Sequence, residues 1–375
     1  MNFNNENDLY NFFKHKKLNK IFVITGFNSY KKSGAKNILN KVLEKKNLFF
    51  YFKKNFFPDI LELKDIILKT SQFKPDLILA VGGGSVIDYA KITNVFKTSD
   101  NINEDILNSN FKYLKKIYKL AVIPTTAGSG AEVTSNAVIY IKGKKYSVES
   151  EKLKPDYYFL VPKLVIGAKK SIKSSAGFDA ISQSIESIIS RKANRQSIAF
   201  AKKSLELSFK KFEKFVNEPN LSNTRNMCVA ATLSGKAISI TKTTAPHALS
   251  YPFTSHFGIS HGHAVSLTLN EFLKFNYKFL KYSDTKLNLK KKFDLIFKIA
   301  KVKNINELDQ YLAFLKKKTK LENNFTKLGI VYDRDVSKII SGVNILRLSN
   351  NPINLDKTIL KSVILDISKK WKRGE

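Results

Sequence analysis

One cysteine in 375 residues, Cys228, is the sharpest shortage in this chain. A lone thiol forms no internal disulfide, and no C-x-x-C pair is present to hold zinc or exchange thiols, which argues for a reducing compartment. Long apolar runs are missing too. No stretch reaches the ~18 unbroken apolar residues of a membrane-spanning helix, and residues 2–8 (Asn-Phe-Asn-Asn-Glu-Asn-Asp) carry no apolar leader. The expectation is a cytoplasmic protein without a membrane partner. With only 16 glycines and 9 prolines, fibrous and low-complexity architectures are excluded as well.

Arginine is also scarce. Only 6 of the 65 basic residues are arginine, although the formal net charge is +34. Nucleic-acid recognition leans on arginine forks that read guanine edges and clamp phosphates with paired bonds. Here lysines sit in twos and threes between apolar positions, as at Lys210-Lys211, Lys290-Lys291-Lys292 and Lys316-Lys317-Lys318. That is a lysine-biased composition and not a nucleic-acid interface. What it leaves is a general attraction for small anions.

What is present is ample apolar matter. With 43% hydrophobic residues the chain can bury large cores, and at roughly 150 residues per domain its length predicts two. Short apolar runs read as buried strands at 20–25, 48–52, 76–81 and 119–124, with helical periodicity after Gly34, over 60–68 and over 85–96. Strands alternating with helices predict a parallel sheet covered on both faces. Beyond about residue 170 the period turns helical (176–189, 197–216, 226–240 and much of 264–319) and strand signals vanish. The expected fold class is therefore α/β followed by all-α: a Rossmann-like parallel-sheet domain over 1–172 and a helical domain over 173–375.

Three constellations carry chemistry. Gly82-Gly83-Gly84-Ser85 lies between a strand and a helix, where missing Cβ atoms and free N–H groups suit a pyrophosphate. It is not a G-x-G-x-x-G fingerprint, and none follows the first strand. Thr125, Thr126 and Ser129, in Pro124-Thr125-Thr126-Ala127-Gly128-Ser129-Gly130, offer hydroxyls at the carboxyl end of another strand, the edge where open parallel sheets bind ligands. Finally, four of the five histidines (His247, His256, His261 and His263) fall within 17 residues, and Asp179 and Gln183 share one face of a predicted amphipathic helix.

Taken in order, these segments resemble the iron-containing (group III) alcohol dehydrogenases. Gly82 to Lys91 is similar to that family's glycine-rich signature, Ile123 to Glu132 to its threonine loop, and Asn351-Pro352 to the start of its last helix. The order and spacing of Asp179, position 183, His247 and His261 match its metal ligands. The resemblance covers nearly the whole chain and implies an active site between a dinucleotide-binding domain and a helical domain of the plan shared with dehydroquinate synthases. It implies that a divalent metal, Fe2+ in the family, is held by Asp179, Gln183, His247 and His261. Gly83, Gly84 and Ser85 would hold the cofactor pyrophosphate, Thr125, Thr126, Ser129 and Lys145 its nicotinamide half, and Asp88 is a further residue of the cofactor site.

This chain also departs from the family pattern. Gln183 replaces the usual histidine, a weaker donor. Tyr251 stands where a further histidine is common, and His263 follows His261 by two, so Tyr251 and His263 become the candidates for proton delivery. After the first strand the chain reads Thr25-Gly26-Phe27-Asn28-Ser29-Tyr30-Lys31-Lys32, with no acid to bind a ribose 2′-hydroxyl. Gly26 and Ser29 therefore point to NADPH over NADH. The segments around Asp179 and His247 resemble the phosphonoacetaldehyde reductase branch, with Lys242 as a cation for an anionic small-molecule substrate. The expected reaction is reduction of an aldehyde to a primary alcohol. A generic alcohol dehydrogenase and a dehydroquinate synthase-like lyase are the alternatives, and a homodimer is allowed for.

Overall fold

A computed structural model describes residues 2–3, 6–343 and 348–372. The chain divides into two compact units, one of Met1–Ala168 with Asn220–Cys228, the other of Lys169–Pro219 with Val229–Glu375. Among the described residues no helix is long and apolar enough to cross a membrane.

The first unit is built on a parallel sheet. Its strands are β1 (Asn2–Phe3), β2 (Lys20–Gly26), β3 (Asn47–Lys53), β4 (Leu77–Gly82), β5 (Lys119–Pro124) and β8 (Tyr157–Phe159), in the order β1-β8-β5-β4-β2-β3. All the pairings are parallel. The four strands expected from apolar runs are the four central and edge strands β2 to β5. Every residue of β4 is buried, and β2 is buried from Ile21 onward, as strands packed on both faces must be. The edge strand β3 is only partly covered. Helices α1 (Glu6–His15), α2 (Phe27–Lys32) and α3 (Ala35–Val42) are followed by α4 (Ile60–Phe73), α5 (Gly84–Thr93), α6 (Ile102–Leu107) and α7 (Pro162–Ile166). Leu9, Phe12 and Phe13 of α1 join Ile21, Val23, Leu79 and Phe159 in one core.

A separate antiparallel hairpin, β6 (Asn136–Ile141) with β7 (Lys144–Glu149), was not legible in the sequence. Its turn, Lys142-Gly143, has φ of 48° and 74°, the doubly left-handed geometry of a tight hairpin, but lysine replaces the usual asparagine or aspartate signal. The start of the hairpin is fastened to α5 by a fully buried lysine. Lys91 Nζ donates to Thr134 O (2.9 Å), Thr134 Oγ1 (2.8 Å) and Asn136 O (3.0 Å).

Burial pulls the Lys91 ammonium down to about 8, against the opposing charges of Asp88 and Glu132. Between that value and the ordinary 10.5 the unfolded chain binds the extra proton, so this contribution to stability grows as pH rises and is lost as pH falls through about 8. In Lys91→Met the pH dependence across that window should disappear. At pH 7 the variant should be less stable by about 1–3 kcal/mol, because buried acceptors lose their donor. Denaturant melts of both proteins from pH 6 to 10 measure this; parallel curves would refute it.

The second unit is helical: α8 (Lys170–Ile189), α9 (Arg195–Asn217), α10 (Leu221–Thr241, which begins in the first unit), α11 (Ala245–Phe257) and α12 (His261–Lys278), then Leu289–Ala300, Ile305–Lys318, Tyr332–Ser341 and Lys357–Lys372. Cys228 lies buried on α10. The helix α8 differs from the amphipathic expectation, since Gly177 through Ile189 is buried on every side. Its serines make that possible by returning their hydroxyls to the backbone, Ser182 to Phe178 O (2.9 Å) and Ser184 to Ala180 O (2.8 Å). The periodicity also hid α11, which carries Pro246 in its first turn and Pro252 in its interior.

Candidate active site

In the helical unit α8, α11 and α12 bring three chemistry-bearing side chains together. Asp179, His247 and His261 each offer one ligand atom, and these atoms lie within 4.8 Å of one another. Asp179 and His247 are buried, and His247 Nε2 stands 3.1 Å from Asp179 Oδ1. The approach of α12 to α8 depends on Gly262, where a Cβ would stand 2.0 Å from Ser175 O and 2.7 Å from Asp179 Cβ.

The two imidazoles are oriented from behind. His247 Nδ1 makes a short hydrogen bond to Glu186, a wholly buried carboxylate that also accepts from Thr244 N (2.9 Å), Thr244 Oγ1 (2.9 Å) and His247 N (3.4 Å). Ser250 Oγ spends its one proton on His247 O (2.7 Å), so at 3.1 Å it accepts from His261 Nδ1. Nδ1 of each ring is thus engaged from behind, and Nε2 of His247 faces Asp179. This is the backing that metal-ligating histidines require. One carboxylate and two such imidazoles fit a divalent transition ion. Burial alone would lower the His247 pKa; the Glu186 charge and the hydrogen bonds to Asp179 and Glu186 outweigh it and raise it to about 9.

Gln183 is in place, one helical turn from Asp179, but its amide faces differently from the expected ligand. Its Nε2 donates to Asp179 Oδ2 (3.2 Å) and its Oε1 accepts from Ser234 Oγ (2.9 Å). Ser234 Oγ also reaches Ala231 O at 2.8 Å. Facing a carboxylate, the amide must present Nε2 to Asp179, because Oε1 there would set two acceptors against each other. Replacing this neutral amide by imidazole should tighten metal binding: Gln183→His is expected to bind Zn2+ or Fe2+ about tenfold more tightly or better. Chelator-competition titration reads this directly, and unchanged affinity would mean that position 183 does not meet the ion.

Tyr251, on α11, stacks on the His261 ring at 5.9 Å between centroids and 11° between planes. His263 is not brought to the cluster. Two residues along a helix rotate a side chain by about 200°, and His263 Nε2 donates instead to Glu322 O at 2.6 Å. Lys242 ends α10 in a left-handed conformation (φ 59°), with its N–H on Ile238 O. The loop it opens is pinned by Asn350, whose Nδ2 donates to Thr241 O (2.6 Å) and Thr243 O (2.9 Å).

In the sheet unit the two loops singled out from the sequence meet at the carboxyl edge. A Cβ on Gly83 would lie 3.5 Å from the Thr126 side chain, and one on Gly84 would lie 3.4 Å from Ser129 Oγ. Thr125 N donates to Gly82 O at 3.0 Å. Gly83 is the N-cap of α5 and makes no side-chain cap hydrogen bond to the helix N-terminus, so the cradle fits a pyrophosphate. Ser85 follows in the first turn. Asp88, next on α5, is pushed up to about 6 by burial, with Lys91 and Lys145 pulling the other way, which sets the Lys145 charge close to Asp88. Gly26 and Ser29 also adjoin, with Ser29 Oγ 3.4 Å from where a Gly26 Cβ would be.

Sequence reasoning passed over Glu186, Ser234 and Ser250. Glu186 had a signal, since it lies seven residues after Asp179 and three after Gln183 and so shares their helix face. The serines had none.

The family model for iron-containing alcohol dehydrogenases matches residues 3–162, and that for the C-terminal part of the same family matches residues 173–366. The chain belongs to the iron-containing alcohol dehydrogenase family. It is 31% identical over 222 residues to 1-propanol dehydrogenase of Citrobacter freundii, covering 58% of this chain and 56% of that protein. It is 28% identical over 213 residues to phosphonoacetaldehyde reductase of Streptomyces viridochromogenes, covering 54% of each. These matches thus span little more than half of either relative. Among solved structures, sulfoacetaldehyde reductase from Bifidobacterium kashiwanohense, in complex with NAD+, superposes with a TM-score of 0.85 at 23% identity, over 97% of this chain and 94% of that one.

Proposed function

We propose that the chain is a cytoplasmic, NADPH-dependent aldehyde reductase, and that its substrate is phosphonoacetaldehyde, reduced to 2-hydroxyethylphosphonate. The observation that carries the reading is the Asp179–His247–His261 cluster with both imidazoles held at Nδ1. When bound, a divalent ion supplies a Lewis acid for the carbonyl oxygen and reduced nicotinamide supplies hydride. The chain's own part is positional. Glu186 and Ser250 fix the two imidazoles, while Gly83, Gly84 and Ser85 present N–H groups to the pyrophosphate. Thr125, Thr126, Ser129 and Lys145 surround the nicotinamide half, and Asp88 tempers the Lys145 charge. The Tyr251 phenol, stacked beside His261, is the proton source for the product alkoxide.

An anionic substrate is supported by two relatives named for two-carbon aldehydes bearing phosphonate or sulfonate, and by Lys242 in its pinned loop. The relative named 1-propanol dehydrogenase favours a second reading, a reductase of neutral aldehydes. An aldehyde panel separates the two. Phosphonoacetaldehyde should exceed acetaldehyde in kcat/KM by about ten- to a hundredfold, the worth of one charge-assisted contact. Equal rates would remove the phosphonate reading, and absence of stoichiometric NADPH oxidation with any aldehyde would remove the reductase.

A further inference from the structure

The carboxyl edge of the sheet holds a lysine that neither the glycine cradle nor the metal cluster uses. In the parallel register Gly26, the last residue of β2, is paired with Lys53, the last residue of β3. A Cβ on Gly26 would stand 3.9 Å from Lys53 Cε, so the stem of this lysine runs directly past the glycine. On the other side β2 is level with β4, Thr25 facing Val81, so Gly26 lies between Lys53 and the start of the glycine cradle.

The ammonium is held in place. Lys53 Nζ donates to Asn55 O (2.5 Å) and Phe56 O (3.2 Å). The turn that carries those carbonyls is itself fixed, because the buried Glu62 carboxylate accepts from Lys54 N (2.5 Å) and Asn55 N (3.0 Å). Tyr89 adds its hydroxyl to the same carboxylate at 2.7 Å. Two backbone carbonyls leave one of the three ammonium protons for another acceptor. Lys31, the nearest alternative in sequence, lies over the Phe27 ring at 4.2 Å, and Phe27 in turn packs against Phe52.

An adenosine ribose reaches the end of the strand beside the one that carries the pyrophosphate loop, and a cation there accommodates a 2′-phosphate where an acid would reject it. We propose that Lys53 is the residue that selects NADPH, its ammonium pairing with the 2′-phosphate across the space left open at Gly26. Ser29 Oγ, which also borders that space, supplies a neutral hydrogen bond to the same group. The inference rests on the NADPH reading above and adds to it the residue responsible.

Steady-state kinetics with both cofactors, and competitive inhibition by adenosine 2′,5′-bisphosphate and by 5′-AMP, test it on the full chain. Lys53→Met should lose about ten- to a hundredfold in kcat/KM for NADPH and in affinity for the bisphosphate. NADH and AMP should be unaffected, and Lys53→Arg, which keeps the charge, should retain the NADPH preference. A wild-type protein that prefers NADH overturns the NADPH reading itself. A wild-type preference for NADPH that survives in Lys53→Met overturns only the role of Lys53. Equal losses with both cofactors in Lys53→Met also overturn it, since they mark a support for the turn and not a phosphate contact.

Discussion

Asp179→Ala is expected to lower kcat/KM for aldehyde reduction by about a thousandfold or more, the equivalent of ~4 kcal/mol of lost electrophilic stabilisation. The carboxylate is the only anionic member of the cluster, and it also receives Gln183 Nε2 and faces His247 Nε2. Its removal takes away the one carboxylate of the candidate metal cluster and releases two neighbours at once. Metal content by mass spectrometry should fall with activity, while the melting curve keeps its cooperativity, because α8 retains its other packing. Wild-type rates from a rigorously metal-free preparation would dismiss the metal-assisted reaction altogether.

The second large effect belongs to a glycine. Alanine in a helix is ordinarily more stable than glycine by about 1 kcal/mol. At position 262 the sign should reverse. The added Cβ would meet Ser175 O at 2.0 Å and Asp179 Cβ at 2.7 Å, and the first of these is backbone that cannot rotate away. Helices α8 and α12 must separate, carrying His261 away from Asp179. Gly262→Ala should therefore lose about 3 kcal/mol or more of stability, at the upper end of overpacking costs, and lose metal affinity with it. Calorimetry and chelator competition measure the two losses; a variant that melts at or above the wild-type temperature would show that the helices have room to spare.

How much of this was written in the sequence depends on what kind of residue carries it. Strands β2, β4 and β5 were legible because both faces are buried and the apolar run is continuous, and the partly covered β3 because Leu48 to Phe52 is an unbroken apolar run. The hairpin was not, since its turn is Lys-Gly and its second strand is lysine-rich and half exposed. Asp179, His247 and His261 could be listed from residue type and order. Their common point could not, for it is set by Gly262, which looks like any other helix glycine. The role of Gln183 was the hardest to read. A side chain whose amide is held between Asp179 and a serine hydroxyl 51 positions away has no local signature. His263 misled for the opposite reason, being close to a ligand in number and on another face in space.

Cys228 gives the molecule a property useful at the bench. Its thiol is enclosed in α10, and burial pushes it up to about 12, with Glu132 adding to the effect. Buried and held as the neutral thiol, it is shielded from alkylating reagents in the folded protein. A cysteine introduced on the surface, for example at the exposed Phe56 beyond the turn that holds Lys53, would be the sole labelling position without removal of the native one. A fluorophore placed there would report nucleotide binding at the sheet edge, and slow uptake of label at Cys228 would time the opening of the surrounding structure.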